Sequence, residues 1–443
     1  MSTSKRNGGC MKKIRVILLG AGNRGEVYAT HMAKMPEQFQ IVAVADPDPA
    51  RRETIRKLWG FSENACYESW EAVLEQPKFA DLVVIATMDN MHYYPALQAI
   101  DRGYHLLLEK PVAQTVQECV DIALAAEKKG VMVLVAHVLR YTPFFGKVKQ
   151  FLMDGAVGEV MSIAQVEAIG NDHYGHSYVR GNWHCEAEST PILLAKCCHD
   201  LDIIQWLLGK PCKRVQSFGS LTHFVKENAP AGAPRRCADG GCPVGETCPY
   251  NCLEFYYKKP EHVALRKKIT KGIAKGSIPT DDEVLESLRT TDFGLCVYQA
   301  NNDVPDHQTV NMEFAGGATA TLTMNAFNEG GRHIRVFGTK GELYAYLEGE
   351  SITLFTFEGR ETAVIPILDK GQTITGNHSG GDEGIVRELY EYLSGTYTGF
   401  RAADLMTSVK NHMIGFAAEE GRHSNTVVEL DDYFARYGMK NEY

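Results

Sequence analysis

The stretch IRVILLGAGNRG, residues 14–25, is an apolar segment of strand length that runs into three glycines, and a helical pattern follows it directly. In a strand-turn-helix unit of this kind, Gly20 permits the bend and Gly22 lets the backbone approach a pyrophosphate. Gly25 allows the helix to pack closely on the strand. The stretch therefore predicts a dinucleotide-binding turn, with Asn23 and Arg24 among the residues that bind the cofactor.

A second apolar segment, residues 40–45, ends at Asp46. This is the spacing at which an acidic side chain hydrogen-bonds the adenosine ribose of a dinucleotide. A carboxylate there repels a 2′-phosphate, so the cofactor is expected to be NAD rather than NADP. Arg51 and Arg52 lie just downstream and weaken that preference.

Length and charge narrow the class of protein. At roughly 150 residues per domain, 443 residues indicate two or three domains. The net charge of -9 argues against a nucleic-acid partner. The longest apolar runs, such as residues 131–135, are too short to span a bilayer, and the first ten residues lack the apolar core of a signal peptide. We expect a cytoplasmic protein with no membrane partner.

Strand and helix patterns alternate up to about residue 135, which predicts a doubly wound parallel sheet in a domain of residues 11–140. Ligands of such sheets bind beyond the carboxyl ends of the strands. Thr87 and His92 follow one strand, and the sequence Glu109-Lys110-Pro111 follows the next. We expect Thr87, His92, Glu109 and Lys110 to contact the cofactor. A solvated lysine after an edge strand is the alternative explanation for Lys110.

Five short motifs occur in order along the chain. They are GAGNRG (20–25), ADPD (45–48), AT with His92 (86–92), EKP (109–111) and HVLRYTP (137–143). Together they resemble the glucose-fructose oxidoreductase, inositol dehydrogenase and MocA family (Gfo/Idh/MocA). The resemblance implies an α/β protein, with an N-terminal Rossmann domain and a C-terminal domain built on an open, mostly antiparallel sheet. It also implies nicotinamide-dependent oxidation of sugar or cyclitol hydroxyls, with Lys110 in the site and His137, Arg140 and Tyr141 near the substrate.

The second domain is predicted over residues 141–400, and residues 171–184 form a loop rich in polar and aromatic side chains. Such side chains suit a polyol, whose hydroxyls need hydrogen-bond partners and whose ring faces pack on aromatic rings. We expect Arg180, Trp183 and His184 to bind substrate. A polar interface loop is the alternative.

Residues 191–208 read as one helix, on which Lys196, His199 and Asp202 recur every third residue and therefore share one side. The family resemblance matches His199 and Asp202 to a histidine and aspartate of the catalytic helix. The acid that usually precedes the histidine is replaced by Ala195. The catalytic base remains open among His199, Lys110 and Lys196, and a core or interface role for His199 is the alternative.

Residues 225–290 break the regular pattern and contain Cys237-x4-Cys242-x5-Cys248-x3-Cys252. This spacing is looser than the paired C-x2-C of common zinc sites, so no metal is assigned and reduced thiols packing a long insertion are favoured. A structural metal is the alternative. The insertion lies where a lid or an oligomer contact could form.

Beyond the insertion, short alternating segments predict an antiparallel sheet, and residues 301–307 either reach the active cleft or merely turn the chain. The family resemblance places the stretch Asn377 to Asp382 near the substrate, which makes His378 and Asp382 secondary site candidates. A last helix is expected over residues 406–422. It belongs to a segment, 401–443, that returns to the Rossmann domain. The predicted strands are residues 295–299, 308–314, 319–327, 333–337, 343–347 and 352–357.

The sequence thus predicts an NAD-dependent dehydrogenase of a secondary hydroxyl on a sugar, glycoside or cyclitol, with the sugar C3 hydroxyl as one target. An NAD-dependent glycosidase, working by transient oxidation, elimination and re-reduction, is the first alternative. A non-catalytic NAD-sensing regulator is the second, but it would not need both Lys110 and His199. Beyond the small-molecule substrate, we expect the chain to associate as a homodimer or homotetramer.

Overall fold

The computed structural model describes residues 13–273, 278–368 and 378–442. The N-terminal part is a six-stranded, all-parallel sheet with the order β3-β2-β1-β4-β5-β6, in which the strand order reverses between β1 and β4. The prediction of a doubly wound sheet is confirmed, and a ligand crevice lies at this reversal. Its strands are β1 Ile14–Leu19, β2 Phe39–Ala45, β3 Cys66–Tyr67, β4 Leu82–Ile85, β5 His105–Leu108 and β6 Val133–Val135.

Local sequence explains how the helices of this domain begin and end. In α5, Thr115 and Glu118 form a capping box, and Gly130 closes the helix in the left-handed conformation at φ 64°. Helices cover both faces of the sheet, as a doubly wound fold requires. The helices of the domain are α1 Asn23–Ala33, α2 Pro49–Trp59, α3 Trp70–Leu74, α4 Tyr93–Asp101 and α5 Val116–Lys129.

The second part contains a nine-stranded sheet with the order β14-β13-β12-β11-β7-β10-β9-β8-β15. All neighbouring strands are antiparallel except β10 and β7, which are parallel. The predicted open, mostly antiparallel sheet is therefore confirmed. Its strands are β7 Val160–Ala168, β8 Cys212–Ser220, β9 His307–Phe314, β10 Thr319–Asn325, β11 Gly331–Gly338, β12 Gly341–Tyr346, β13 Ser351–Thr356, β14 Glu361–Pro366 and β15 Val428–Glu429.

Helices pack on one face of this sheet, and its other face carries exposed side chains such as Phe218 and Tyr344. None of the described helices is both long and apolar enough to cross a membrane. The remaining helices are α6 Pro143–Met153, α7 Asn171–Tyr174, α8 Ile192–Ala195, α9 Cys198–Leu208, α10 Val263–Ile269, α11 Asp281–Thr290, α12 Gly381–Ser394, α13 Leu405–Ser424 and α14 Leu430–Ala435.

Two predicted elements differ in the structure. Residues 295–299 do not form a strand. Leu295 makes a single bridge to Arg236, and the chain then turns through a bond from Gln299 N to Cys296 O, because this segment pairs with the insertion instead of the sheet. The helix predicted over 406–422 is not the last. After α13, β15 joins β8 at the sheet edge and α14 follows.

The segment beyond residue 400 packs on both parts of the chain. Helix α13 contacts α5 of the Rossmann part and also α9 and β8 of the second part. The insertion has a small core of its own, formed by five buried residues, Cys252, Tyr256, Ile269, Val284 and Leu288.

Candidate active site

The glycine turn has the geometry that its sequence predicts. Gly20 has a φ of 84°, and a Cβ there would lie 2.6 Å from the carbonyl oxygen of Ala86. A Cβ at Gly25 would lie 2.0 Å from the carbonyl oxygen of Gly20, so only glycine fits either position. Gly22 is the N-cap of α1 and makes no side-chain cap bond, which leaves the first amides of α1 facing outward. Such a helix terminus fits a pyrophosphate.

Asp46 connects this turn to the second strand. Its Oδ2 accepts a hydrogen bond from the amide of Ala21 at 2.8 Å, and its Oδ1 accepts one from the amide of Asp48 at 2.9 Å. Nη1 of Arg51 lies 3.9 Å from Oδ2 of Asp46 and is the nearest atom to a Cβ built on Gly22. A carboxylate and a guanidinium thus flank the expected ribose position, which bears directly on the choice between NAD and NADP.

Arg24 and Glu109, both predicted to contact the cofactor, contact each other in the structure. Nε of Arg24 donates to Oε1 of Glu109 at 2.5 Å, and Nη2 donates to Oδ1 of Asp382 at 2.8 Å. Burial disfavours the charged form of Glu109, but the charges of Arg24 and Lys110 and the hydrogen bonds from Tyr28 and Arg24 together hold the Glu109 pKa below its usual range. The pair therefore links α1 to the start of α12 in the second part of the chain.

Thr87 and His92 shape the loop after β4. Nδ1 of His92 lies 2.7 Å from the carbonyl oxygen of Pro111, and because a carbonyl can only accept, Nδ1 carries the proton. The hydroxyl of Thr87 donates to the carbonyl of Met91 at 3.0 Å. His92 is fully buried and fixes the turn that carries Lys110, which is a different role from the direct cofactor contact expected of it.

Lys110 reaches across the two parts of the chain. Its Nζ donates to the carbonyl oxygen of Ala195 at 2.9 Å. That carbonyl is accessible because residues 191–208 form two helices. The prediction of a single helix over this range is wrong. Helix α8 ends at Ala195, and α9 begins at Cys198 after the backbone leaves helical geometry at Cys197, whose ψ is 3°. A continuous helix would use the same carbonyl for its own ladder, so the break supplies the acceptor that Lys110 uses.

His199 is the second residue of α9 and is buried. Its ring centroid is 5.9 Å from that of His137 and 6.4 Å from that of His378, and its Nδ1 has no hydrogen-bond partner among the described residues. Burial, reinforced by the charge of Lys110, holds the pKa of His199 well below the usual 6.5. His199 is therefore a neutral imidazole at neutral pH, able to accept a proton.

Asp202 does not pair with His199. Its carboxylate accepts two bonds from Arg140, at 2.7 and 2.6 Å, and a third from Asn411 at 2.6 Å. His137 is fully buried, with Nδ1 3.9 Å from Oδ2 of Asp202. Arg140 and His137, expected at the substrate, therefore belong to a buried network behind the site.

Tyr141 is also held away from the cleft. It is 2% exposed, and its side chain packs against Gly384 of α12, where an added Cβ would lie 2.9 Å from the tyrosine Cβ. The expectation that Tyr141 binds substrate is therefore corrected to a packing role between α12 and the segment after β6.

Lys196 turns toward the second sheet instead of sharing a side with His199 and Asp202. Its Nζ lies 3.2 Å from Oε1 of Glu167, and Nε of Arg332 lies 2.6 Å from Oε2 of the same carboxylate. Arg332 also donates to Asp200 at 3.0 Å. Our sequence reasoning missed Glu167, Asp200 and Arg332. The one signal for them is a glutamate at a position of β7 where alternation places a buried side chain.

The loop of residues 171–184 folds over the loop after β4. Nε1 of Trp183 donates to Oδ2 of Asp89 at 3.1 Å, and the hydroxyl of Ser189 donates to the same oxygen at 3.0 Å. Nδ1 of His184 lies 2.8 Å from the carbonyl of Gly181. Trp183 and His184 are half-buried at this junction of the two parts.

Arg180 points the other way. It is 4% exposed, and its guanidinium donates to the carbonyl oxygens of Leu295 at 2.8 Å and Tyr250 at 2.7 Å. The expectation that Arg180 binds substrate is corrected, because its donors are used to hold the insertion.

His378 begins the last described stretch, and its predicted neighbour Asn377 lies outside the described residues. Nδ1 of His378 is 3.0 Å from Oδ2 of Asp382 and 3.4 Å from Nη1 of Arg24. The side chain is partly exposed and its ring faces that of His199. The structure thus brings together Lys110, His199 and His378, from three separate segments.

This fold and this site define an oxidoreductase class, and the chain belongs to the Gfo/Idh/MocA oxidoreductase family. Residues 14–137 match the model described as the NAD-binding Rossmann fold of the oxidoreductase family, and residues 149–402 match the model of its C-terminal alpha/beta domain. The resemblance inferred from the motifs is confirmed.

Individual relatives are distant. The chain is 25% identical over 379 residues to YteT of Bacillus subtilis, a protein named as an oxidoreductase, which covers 81% of this chain and 84% of YteT. It is 23% identical to an inositol 2-dehydrogenase/D-chiro-inositol 3-dehydrogenase of Lactiplantibacillus plantarum, over 50% of this chain and 60% of the relative. The structure of levoglucosan dehydrogenase in complex with NADH and L-sorbose superposes with a TM-score of 0.69 at 16% identity, covering 95% of this chain and 99% of that one.

Proposed function

We propose that the protein is an NAD-dependent dehydrogenase that oxidises a secondary hydroxyl of a sugar, glycoside or cyclitol, with the sugar C3 hydroxyl as one target. The observation that carries this proposal is the convergence of Lys110, at the carboxyl edge of the Rossmann sheet, with neutral His199 of α9. The Lys110–Ala195 hydrogen bond joins the two segments at 2.9 Å. An ammonium and a neutral imidazole are the two groups that alcohol oxidation needs.

The bound nicotinamide supplies the hydride acceptor. The protein's share is to position the hydroxyl, stabilise negative charge on its oxygen and remove its proton. The ammonium of Lys110 donates to the oxygen and stabilises developing alkoxide. We assign acceptance of the proton to His199, because its imidazole is neutral and its buried Nδ1 has no hydrogen-bond partner among the described residues.

Lys196 is the weakest of the three base candidates. Its Nζ lies 3.2 Å from Oε1 of Glu167, so the side chain is engaged with the second sheet. We therefore assign Lys196 a structural role. Trp183, His184 and His378 are proposed to contact the sugar, because they border the cleft between the two parts.

NAD is proposed as the cofactor in preference to NADP, since the Asp46 carboxylate occupies the ribose edge of the glycine turn. Arg51, 3.9 Å from that carboxylate, is the group that would accommodate a 2′-phosphate if the acid were removed.

The proposal is tested by NADH absorbance on a panel of aldoses, methyl glycosides, aryl glycosides and inositols, with NADP run in parallel. A substrate-dependent NADH signal that disappears in Lys110→Met supports the dehydrogenase. Tight NAD binding without turnover on any member of the panel would favour the regulator.

An NAD-dependent glycosidase is the second candidate. It is favoured by the absence of the family's acid at Ala195 and by the second lysine at 196. In that reaction oxidation would acidify the neighbouring C–H, elimination would release the aglycone and leave an unsaturated ketone, water would add to it, and the reduced cofactor would return the hydride. Release of p-nitrophenol from an aryl glycoside without net NADH would identify it.

A homodimer or homotetramer is proposed to form through the open face of the nine-stranded sheet. The support is the exposure of Phe218 and Tyr344, at 54% and 47%, on a face that no described helix covers. Light scattering coupled to gel filtration should show an oligomer that Tyr344→Glu weakens, whereas a monomeric native protein would refute the proposal.

A further inference from the structure

Four cysteine thiols line a single cavity of about 20 Å³ in the insertion. Cys237, Cys242 and Cys248 belong to the insertion, and Cys296 belongs to the segment that follows α11. None of these cysteines is in a disulfide. The sequence pattern instead groups Cys252, and not Cys296, with Cys237, Cys242 and Cys248.

Cys252 lies behind the cavity and does not line it. Its side chain is fully buried in the small core of the insertion beside Tyr256 and Leu288, and its Sγ points to the carbonyl of Gly294 at 4.0 Å. Its backbone amide donates to Sγ of Cys237 at 3.4 Å. An N–H···S bond of this kind stabilises a thiolate, which is the form that binds metals.

We propose that Cys237, Cys242, Cys248 and Cys296 bind one structural zinc ion. Four thiolates are a complete tetrahedral ligand set for zinc. A cavity of about 20 Å³ is close to the roughly 10–15 Å³ that one water molecule needs, so it suits a single ion and is too small for a cluster of iron and sulfide.

Arg180 supports the site electrostatically. Four thiolates around a divalent ion leave a net charge of about −2, which a nearby cation stabilises. Arg180 lines the same cavity, and its bonds to the carbonyls of Leu295 and Tyr250 hold the residues adjacent to Cys296 and close to Cys248. A zinc site would therefore explain why Arg180 contacts the insertion and not the substrate.

In the described part of the chain, no three His, Cys, Asp or Glu side chains already converge at ligand distance on one point. Cys237 Sγ instead lies 3.5 Å from Oδ1 of Asn251. Binding therefore requires the four side chains that line the cavity to converge on one ion, with loss of their thiol protons.

The ion would tie Cys296, at the start of the segment leading into β9, to an insertion that otherwise has only a five-residue core. Its function is structural and is independent of the Lys110 and His199 chemistry.

The test is the zinc content, by plasma mass spectrometry, of protein purified without added metal. We expect about one zinc per chain in the native protein and in Cys252→Ser, and loss of zinc in Cys296→Ser. Cys66→Ser, in the Rossmann part, is the matched control and should keep its zinc. Native protein that contains no zinc, or that contains stoichiometric iron instead, would overturn the proposal. So would loss of zinc in Cys252→Ser together with retention of zinc in Cys296→Ser.

A second measurement covers variants that fail to fold. A mercurial titrated into the native protein should release about one zinc, detected with a metallochromic dye, as the protected thiols react, and a chelator should lower the native Tm. Reaction of all thiols with no zinc release would refute the site.

Discussion

Nζ of Lys110 lies 2.9 Å from the carbonyl oxygen of Ala195, and this hydrogen bond joins the carboxyl edge of the Rossmann sheet to the break between α8 and α9. The same break places His199 in the first turn of α9, so the lysine and the histidine are positioned by one local feature. The geometry of the proposed catalytic pair therefore depends on a helix that stops and restarts.

Lys110→Met and His199→Ala should each lower kcat by at least roughly 10²-fold, the usual cost of losing a charge-stabilising or acid-base group. NAD affinity should change far less than kcat, because the glycine turn and Asp46 stay intact and Lys110 is only one of the expected cofactor contacts. The double variant should cost much less than the sum of the two losses in activation free energy. Steady-state kinetics and calorimetry measure these quantities.

Lys196→Met is the matched control for that experiment, since Lys196 is already ion-paired with Glu167. Its kcat should remain within about tenfold of native. If Lys196→Met instead abolished turnover while the Lys110 and His199 double variant retained it, the assignment of the catalytic pair would be wrong.

Asp46→Ser should weaken NAD binding, because a bond to a charged acceptor is worth about 1.5–3 kcal/mol. It should also relax the rejection of NADP, since Arg51 then faces a 2′-phosphate without a competing carboxylate. Asp48→Ser is the control, because it keeps a hydroxyl at the N-cap of α2, where Asp48 accepts the Ala50 amide. Native protein that binds NADP more tightly than NAD in calorimetry would contradict the prediction.

Asp382→Asn should lower the free energy of unfolding at pH 7 by about 1–3 kcal/mol, because it leaves the half-buried Arg24 guanidinium with one less anionic partner. Although burial opposes ionisation, bonds from His378 and Arg24 hold the Asp382 pKa below 3.8. A depressed carboxylate pKa adds stability above the unfolded value, and that stability is lost as the pH falls toward the folded value.

Denaturant unfolding at pH 7 and below pH 4 measures the Asp382 effect, which should shrink on acidification. Glu53→Gln, which removes the surface partner of Arg56, should leave stability unchanged. Equal losses in the two variants would show that the link between α1 and α12 contributes no more than a surface ion pair.

Three buried histidines should make the protein acid-labile. Burial lowers the pKa of His137 to about 4 and that of His412 to about 3, and it also lowers that of His199. Between these values and the usual 6.5 the unfolded chain binds more protons, so stability must fall as the pH drops through that window.

His412→Gln should flatten this acid dependence, because the amide oxygen of glutamine reaches the ε position and can still accept the Val112 amide that His412 Nε2 accepts at 3.1 Å. His423→Gln, at an exposed position, should not change it. Tm recorded from pH 7 to pH 4 measures the dependence, and a Tm that is flat over this range would refute the prediction.

The sequence by itself determined the Rossmann unit and its cofactor turn, because these depend on local properties: hydrophobic periodicity, three glycines at fixed spacing and an acid at the end of the second strand. The motifs at Glu109 to Pro111 and at His199 also predicted the two proposed catalytic groups, and the Lys110–Ala195 hydrogen bond joins the segments that carry them.

Only the tertiary structure decided where the polar side chains point. Lys196, His199 and Asp202 would share one side of an ideal helix. In the structure the helix breaks, and the Ala195 carbonyl at the break accepts a hydrogen bond from Lys110, 85 residues away. Lys196 then contacts Glu167, His199 lies beside His137, and Asp202 pairs with Arg140. Arg180 likewise contacts Leu295, which is 115 residues further along the chain. Cys296 shares a cavity with Cys237, which is 59 residues before it. Such contacts depend on how distant segments pack, and periodicity within one segment carries no information about them.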